Sequence, residues 1–233
     1  MIDRVLRPPA VLAYHGVGPP DGDDARLLIT LDRLESQIRY LKRRGYRFLT
    51  AEGILDGGAP GNGTAVLTFD DGFRSWLTDV APLLVRLGVR GTFYVSPGLF
   101  GKQHWRVPGD AGRLLDEDEA RALAADGMEL GSHALSHPDL RLLDGRELAF
   151  ELRESKAAVE QLTGRPCRTL SYPYGLYDER VTEAAAEAGY ELAFGWLPGR
   201  WRPLAAPRLP APARHGALGL ALKLAATRSG GGR

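Results

Sequence analysis

Ala65-Val66-Leu67-Thr68-Phe69-Asp70-Asp71-Gly72 is the stretch from which the fold is read. Its first five residues are apolar or β-branched without a break, the pattern of a strand buried on both faces. Two adjacent carboxylates and a glycine end the run, and residues 73–87 then read as a helix closed by Gly88. A buried strand turning into a helix is the unit of a parallel α/β sheet, and functional groups gather at the carboxyl ends of such strands. A plain Asp-Gly turn with a helix cap would look the same locally, so the neighbouring segments must decide.

Outward in both directions the same alternation repeats. Strand-like runs cover residues 10–17, 46–50, 91–96, 128–132, 169–174 and 191–196, with a last one at 204–209. Helix-like runs lie between them. Residues 30–45 carry Leu31, Leu34, Ile38 and Leu41 at three- and four-residue steps between Thr30 and Gly45. Asp116 and Glu119 stand at capping-box spacing before a helix ending near Ala125. Residues 145–163 show a stripe of Leu148, Leu152, Val159 and Leu162. Seven or eight strands in β-α order predict an α/β protein, either a distorted barrel or a doubly wound open sheet. Residues 57–64 and 99–112 read as loops. Residues 1–210 form one expected domain, and 211–233, rich in Ala and Arg and ending Gly-Gly-Gly-Arg, an expected tail with disorder toward its end.

Composition narrows the function. With 233 residues, 44% hydrophobic and 25% charged, the chain suits one domain with a sizeable core. A net charge of +1 gives no basic field for nucleic acid. The single cysteine, Cys167, rules out an intrachain disulfide framework and a Cys-rich zinc site. No run has the length of a membrane span, and Met1-Ile-Asp-Arg-Val-Leu-Arg-Pro-Pro9 lacks the apolar core of a signal peptide, so a cytoplasmic location is expected. Oligomeric state is not legible.

Three further segments fall at predicted strand ends. Gly131-Ser-His133-Ala-Leu-Ser-His137-Pro138 holds two of the five histidines four residues apart, a spacing that on a helical turn brings two imidazoles to one side. Two histidines with a carboxylate from residues 70–71 would bind a divalent metal and leave positions open. Zinc is the first expectation, with cobalt, nickel or iron compatible. Ser171-Tyr172-Pro173-Tyr174-Gly175 offers aromatic faces for a sugar and a turn that could aim an N–H at an oxyanion. Leu12-Ala-Tyr-His15-Gly16 places an imidazole on the same rim, where it could donate a proton. Trp105 and Trp196 are further stacking candidates.

These segments resemble the polysaccharide deacetylase family, the NodB-homology domain of carbohydrate esterase family 4. Thr68-Phe-Asp-Asp-Gly72 is similar to its first motif, His133-Ala-Leu-Ser-His137 to its histidine motif, and Tyr172-Pro-Tyr-Gly175 to the core of its third; the likeness covers residues 10–196. The resemblance implies a distorted (β/α) barrel of seven or eight strands. It also implies Asp71, His133 and His137 as metal ligands, Asp70 as general base, and removal of N-acetyl groups from an N-acetylglucosamine-type glycan or precursor. Two departures stand out. No arginine precedes the Pro-Tyr pair, for which Arg208 is a candidate substitute, and no late Leu-x-His motif supplies the general acid. Similarity to relatives acting on poly-N-acetylglucosamine points instead to His15. Tyr172, Pro173, Tyr174 and Trp196 are the expected substrate contacts. Competing readings are an amidase of the same fold acting on a small amide or cyclic imide, and a non-catalytic glycan-binding module.

Overall fold

A computed structural model describes residues 9–19, 26–57, 63–196 and 201–229. Strand β1 (Ala10–Tyr14) is followed by a small parallel pair, β2 (Gly16–Val17) with β3 (Leu28–Ile29), and then by helix α1 (Leu31–Arg43). Next come β4 (Arg47–Leu49), α2 (Ala51–Leu55) and β5 (Thr64–Asp70). A π-helical turn at Trp76–Val80 leads into α3 (Ala81–Leu87), with Gly88 in the left-handed conformation that terminates it. Then follow β6 (Thr92–Val95), α4 (Glu117–Ala125), β7 (Glu129–Ser132), α5 (Gly145–Thr163), β8 (Thr169–Ser171), α6 (Glu179–Glu187) and β9 (Leu192–Gly195). Two short strands, β10 (Ala206–Pro207) and β11 (Leu209–Pro210), precede α7 (Ala217–Ser229).

All strand pairings are parallel. The path runs β10-β9-β8-β7-β6-β5-β1-β11, eight strands, and β4 shares with β6 one edge of β5. Ala206 lies opposite Phe194 of β9, while Leu209 lies opposite Leu12 of β1. One extended segment therefore joins the sheet's two ends, interrupted only at Arg208, and the sheet nearly closes into the expected distorted (β/α) barrel.

Strand alternation sorts the side chains. On β5, Ala65, Leu67 and Phe69 join the large apolar layer beneath the helices, whereas Val66 belongs to a second cluster with Val11, Tyr94, Leu192 and Phe194 inside the barrel. Thr68 and Asp70 continue Val66's inward row, so Asp70 arrives at the carboxyl-end mouth of the barrel interior. The interior is tightly filled: a Cβ on Gly131 would sit 2.4 Å from the Tyr94 ring.

Several expectations change. Phe73 pairs with Leu114 in an isolated bridge, and the helix expected from it starts three residues later. Strand β8 stops at Ser171, and Pro173–Gly175 is a 3-10 turn. Thr30 is the N-cap of α1 without a side-chain cap bond, but both capping-box bonds of Asp116 and Glu119 form. The expected tail holds helix α7, because Leu220 and Leu224 bury apolar surface in the main core; residues 230–233 lie outside the described residues.

Candidate metal centre and active site

The barrel mouth gathers side chains from almost every strand end. Asp71 follows β5, His133 and His137 follow β7, and the three are buried with ligand atoms all within 4.8 Å of one another. Asp71 Oδ1 lies 3.3 Å from His133 Nε2 and 3.2 Å from His137 Nε2. Donors at the corners of a tetrahedron with metal bonds of about 2.0–2.1 Å stand roughly 3.3–3.4 Å apart, so both Asp71–histidine separations suit a shared divalent cation. The second nitrogen of His133 fixes its orientation: Nδ1–H donates to the Ser171 carbonyl at 2.6 Å, which turns Nε2 toward Asp71.

The local backbone explains this convergence, and it differs from the helical turn expected for His133 and His137. The segment is a loop, with Ala134 at φ 59° and His137 at φ 61°. Glu151 of α5 pins it, accepting from the N–H groups of Leu135 (2.8 Å) and Ser136 (2.9 Å) and from the Ser136 hydroxyl (2.5 Å). The Ser96 hydroxyl donates to the His133 carbonyl. Of the five described non-glycine residues with positive φ, Asp71, Ala134, His137 and Tyr174 all belong to this mouth. Such backbone strain, about 1–3 kcal/mol per residue, persists where the surroundings over-determine it.

Asp70 sits beside the centre in a separate network. Arg208 Nη1 donates to its Oδ1 (2.8 Å) and Nη2 to its Oδ2 (2.6 Å), while the Ser171 hydroxyl donates to Oδ2 (3.1 Å). Thr68 Oγ1 and Ser171 Oγ also accept from Arg208, whose guanidinium lies 4.7 Å over the Trp196 ring. Burial alone would raise the Asp70 carboxyl, but Arg208 and His133 outweigh it and hold the carboxylate below its usual range. Asp71 is likewise pushed up by burial, yet hydrogen bonds from His104, His133 and His137 keep it well below. Arg208 thus stands against Asp70 from the far end of the chain.

His15 reaches the mouth from β1, its Nε2 3.9 Å from Asp71 Oδ2, and its carbonyl accepts from Trp76 Nε1 at 2.7 Å. Burial lowers its pKa, with Asp71 and Asp70 pulling the other way. Tyr174 and Trp105, each 44% exposed, flank the His137 ring at 4.6 and 4.4 Å. Trp196 is half-buried at 6.4 Å from the His15 ring. Tyr172 and Pro173 are placed otherwise than expected. Tyr172 is fully buried in the apolar layer and gives its hydroxyl to the Leu204 carbonyl, and Pro173 is buried in the turn, so neither offers a face to a sugar. Cys167 is buried and its thiol is pushed up to about 12 by burial, which makes it inert.

Sequence reading missed His104. It comes from the irregular 99–112 segment, and its Nε2 lies 3.1 Å from Asp71 Oδ2. No periodicity marks such a loop; the one available signal was the rarity of histidine, four of whose five copies meet at this mouth.

Comparison with known proteins agrees with this geometry. The family model for polysaccharide deacetylase matches residues 57–193. YxkH of Bacillus subtilis, which carries that family's name, is 25% identical over 193 residues, 81% of this chain and 64% of its own length. A chitin deacetylase of Arthroderma benhamiae is 29% identical over 133 residues, 56% of this chain and 33% of its own. The chain thus spans less than two thirds of these relatives. Among solved structures, the Streptococcus pyogenes deacetylase PplD in complex with acetate superposes with a TM-score of 0.80 at 21% identity, covering 94% of this chain and 99% of its own. IcaB from Ammonifex degensii superposes with a TM-score of 0.75 at 24% identity, covering 91% and 96%. These two likenesses speak to the fold. The matched region holds Asp70, Asp71, His133, His137 and the Tyr172–Gly175 segment, and the chain belongs to the polysaccharide deacetylase family.

Proposed function

We propose that this protein hydrolyses the N-acetyl group of an N-acetylglucosamine-type glycan or glycan precursor, releasing acetate. One observation carries the reading: a two-histidine, one-carboxylate donor set, Asp71, His133 and His137, stands beside a second carboxylate, Asp70, that is paired with Arg208. A divalent metal on that donor set, zinc by preference, would supply Lewis-acid activation of water and of the acetyl carbonyl.

The chain's own groups divide the remaining work. Asp70, kept anionic and aimed by two arms of Arg208, accepts the proton of the attacking water. The Tyr174 N–H, in a turn strained to φ 58°, donates to the developing oxyanion. His15 returns a proton to the departing amine; its lowered pKa makes the protonated imidazole a stronger donor and a smaller population. The exposed rings of Trp105 and Tyr174 give a sugar two apolar faces beside His137, and Trp196 a third near His15. A lapsed glycan-binding module would have no need of this donor set or of a buried arginine on Asp70.

The test is acetate release from chito-oligosaccharides and poly-N-acetylglucosamine oligomers by protein stripped with chelator and reloaded with zinc, cobalt or nickel. Release that requires metal and is lost in D70N and H133A supports the reading. Metal binding without acetate release turns the substrate toward a small amide or cyclic imide. Absence of metal binding overturns the reading.

A further inference from the structure

We propose that His104 is a positioning residue for the metal centre: its Nε2–H holds Asp71 Oδ2, so that the carboxylate presents Oδ1 alone between His133 and His137. The inference rests on the metal-dependent reading above and assigns a role to a side chain that lies outside the three-donor group.

The tautomer follows from the backbone. His104 Nδ1 accepts from the Arg106 N–H at 3.1 Å, so the neutral ring carries its proton on Nε2, which faces Asp71 Oδ2 at 3.1 Å. A protonated Nε2 has no lone pair to offer a cation, which excludes His104 as a fourth ligand in this orientation. Asp71 Oδ1 is the oxygen that faces both ligand histidines. The two oxygens of one carboxylate are thereby given different tasks.

The ring is also fixed in place. It is stacked between Phe73 at 4.7 Å and Trp105 at 4.1 Å, and its side chain is fully buried. The His104 backbone N–H donates to the Gly112 carbonyl at 2.8 Å, and the Gln103 side-chain amide donates to the carbonyls of Val107 and Gly109. The loop is packed closely enough that a Cβ on Gly112 would fall 1.7 Å from the Val107 oxygen. Most tellingly, this loop is fastened to the turn that carries Asp71: Leu115 N–H donates to the Gly72 carbonyl and Arg74 N–H to the Arg113 carbonyl, both at 2.8 Å. Loop and ligand form one hydrogen-bonded unit, so the His104–Asp71 bond is set by the fold before any cation arrives. Partners of metal ligands typically contribute about 10- to 100-fold in metal affinity.

The test compares the full chain with H104F, which keeps a ring between Phe73 and Trp105 but removes the bond, and H104Q, whose amide can donate near the same point. Stripped proteins are titrated with Zn²⁺ against a competing chelator, the cobalt-loaded forms are compared by visible absorption, and the metal-free melting temperatures check the fold. Expected are a loss of about 10- to 100-fold in Zn²⁺ affinity and an altered cobalt spectrum in H104F, with most of both recovered in H104Q. Zn²⁺ binding by H104F as tight as wild type overturns the role of His104, as does an equal loss in both variants, which would mean packing and not the bond. Failure of the wild type to bind either metal overturns the centre itself, and the proposal with it.

Discussion

Arg208 meets Asp70 in a two-pronged ion pair, 2.8 Å from Nη1 to Oδ1 and 2.6 Å from Nη2 to Oδ2, at the residue where the barrel's two ends are joined. The pair therefore links closure of the fold to the state of the proposed base. Both side chains are buried, and removing one member leaves an uncompensated charge at a cost of about 3–5 kcal/mol. R208M should melt on the order of 10 °C below wild type, given roughly 2–4 °C per kcal/mol for a chain of this size. The D70N/R208M double variant should melt above R208M, since no lone carboxylate remains. Calorimetry on the wild type, D70N, R208M and the double variant checks the cycle.

Chemistry and metal retention separate at Asp70. Replacing it by asparagine leaves Asp71, His133 and His137 in place and removes the proposed proton acceptor. D70N should lose about 10²- to 10⁴-fold in kcat while its Zn²⁺ affinity stays near that of the wild type. Acetate assays and metal titration on the same preparation read the two quantities. A parallel loss of metal would place Asp70 among the ligands instead.

Glu151 has no place in the chemistry and a large one in its geometry, because three donors of the His133–His137 loop converge on its carboxylate. E151A frees two backbone N–H groups that hold a strained turn. Loss of such charge-assisted bonds costs about 1.5–3 kcal/mol each at most, offset where water reaches the N–H. The expected outcome is weaker metal binding, with hydrogen exchange at Leu135 and Ser136 faster than in the wild type. Unchanged exchange would show that Ser96 and α5 packing suffice to hold the loop.

Which of these residues could be read in advance follows from where they lie. Asp70 and Asp71 end a strand whose unbroken apolar run shows its burial, and two-residue alternation carries Asp70 inward with Val66 and Thr68. The same alternation, applied to β8, puts Tyr172 with Leu170 under the helices and Ser171 toward Asp70. His133 and His137 were legible as a pair, but their convergence depends on two left-handed residues and Glu151, fourteen residues beyond His137, and not on helical spacing. Arg208 and His104 were harder because their partners lie 138 and 33 residues away. Only closure of the barrel brings the first to Asp70, and only a loop without periodicity brings the second to Asp71.

Metal loading should be visible as stability. A cation bound only by the folded chain adds about 2.7 kcal/mol when its free concentration is 100 times Kd. For this chain that is a rise in Tm on the order of 5–10 °C. Thermal shift with Zn²⁺ should show that rise in the wild type and lose it in H133A. Equal shifts in both would place the cation elsewhere.

At the opposite end of the barrel, Glu129 gives the fold a pH dependence that is independent of the metal centre. Its carboxylate accepts from the Glu52 N–H at 2.9 Å, and burial pushes its pKa up from 4.5 to about 7 despite that bond. A raised carboxyl pKa means the folded chain holds the proton more tightly than the unfolded one. Stability from this residue is therefore fully present below about 4.5, declines as pH rises through the window to 7, and is gone above it. The shift corresponds to roughly 3 kcal/mol as an upper figure. E129Q, neutral at every pH, keeps an acceptor for the Glu52 N–H and should remove that decline. Chemical denaturation of the metal-free proteins between pH 5 and 8 should show the wild type losing stability relative to E129Q as pH rises; the histidines at the mouth titrate in both proteins alike and cancel in the difference. Parallel curves for the two proteins would mean that water reaches Glu129 well enough to keep its carboxyl near its ordinary value.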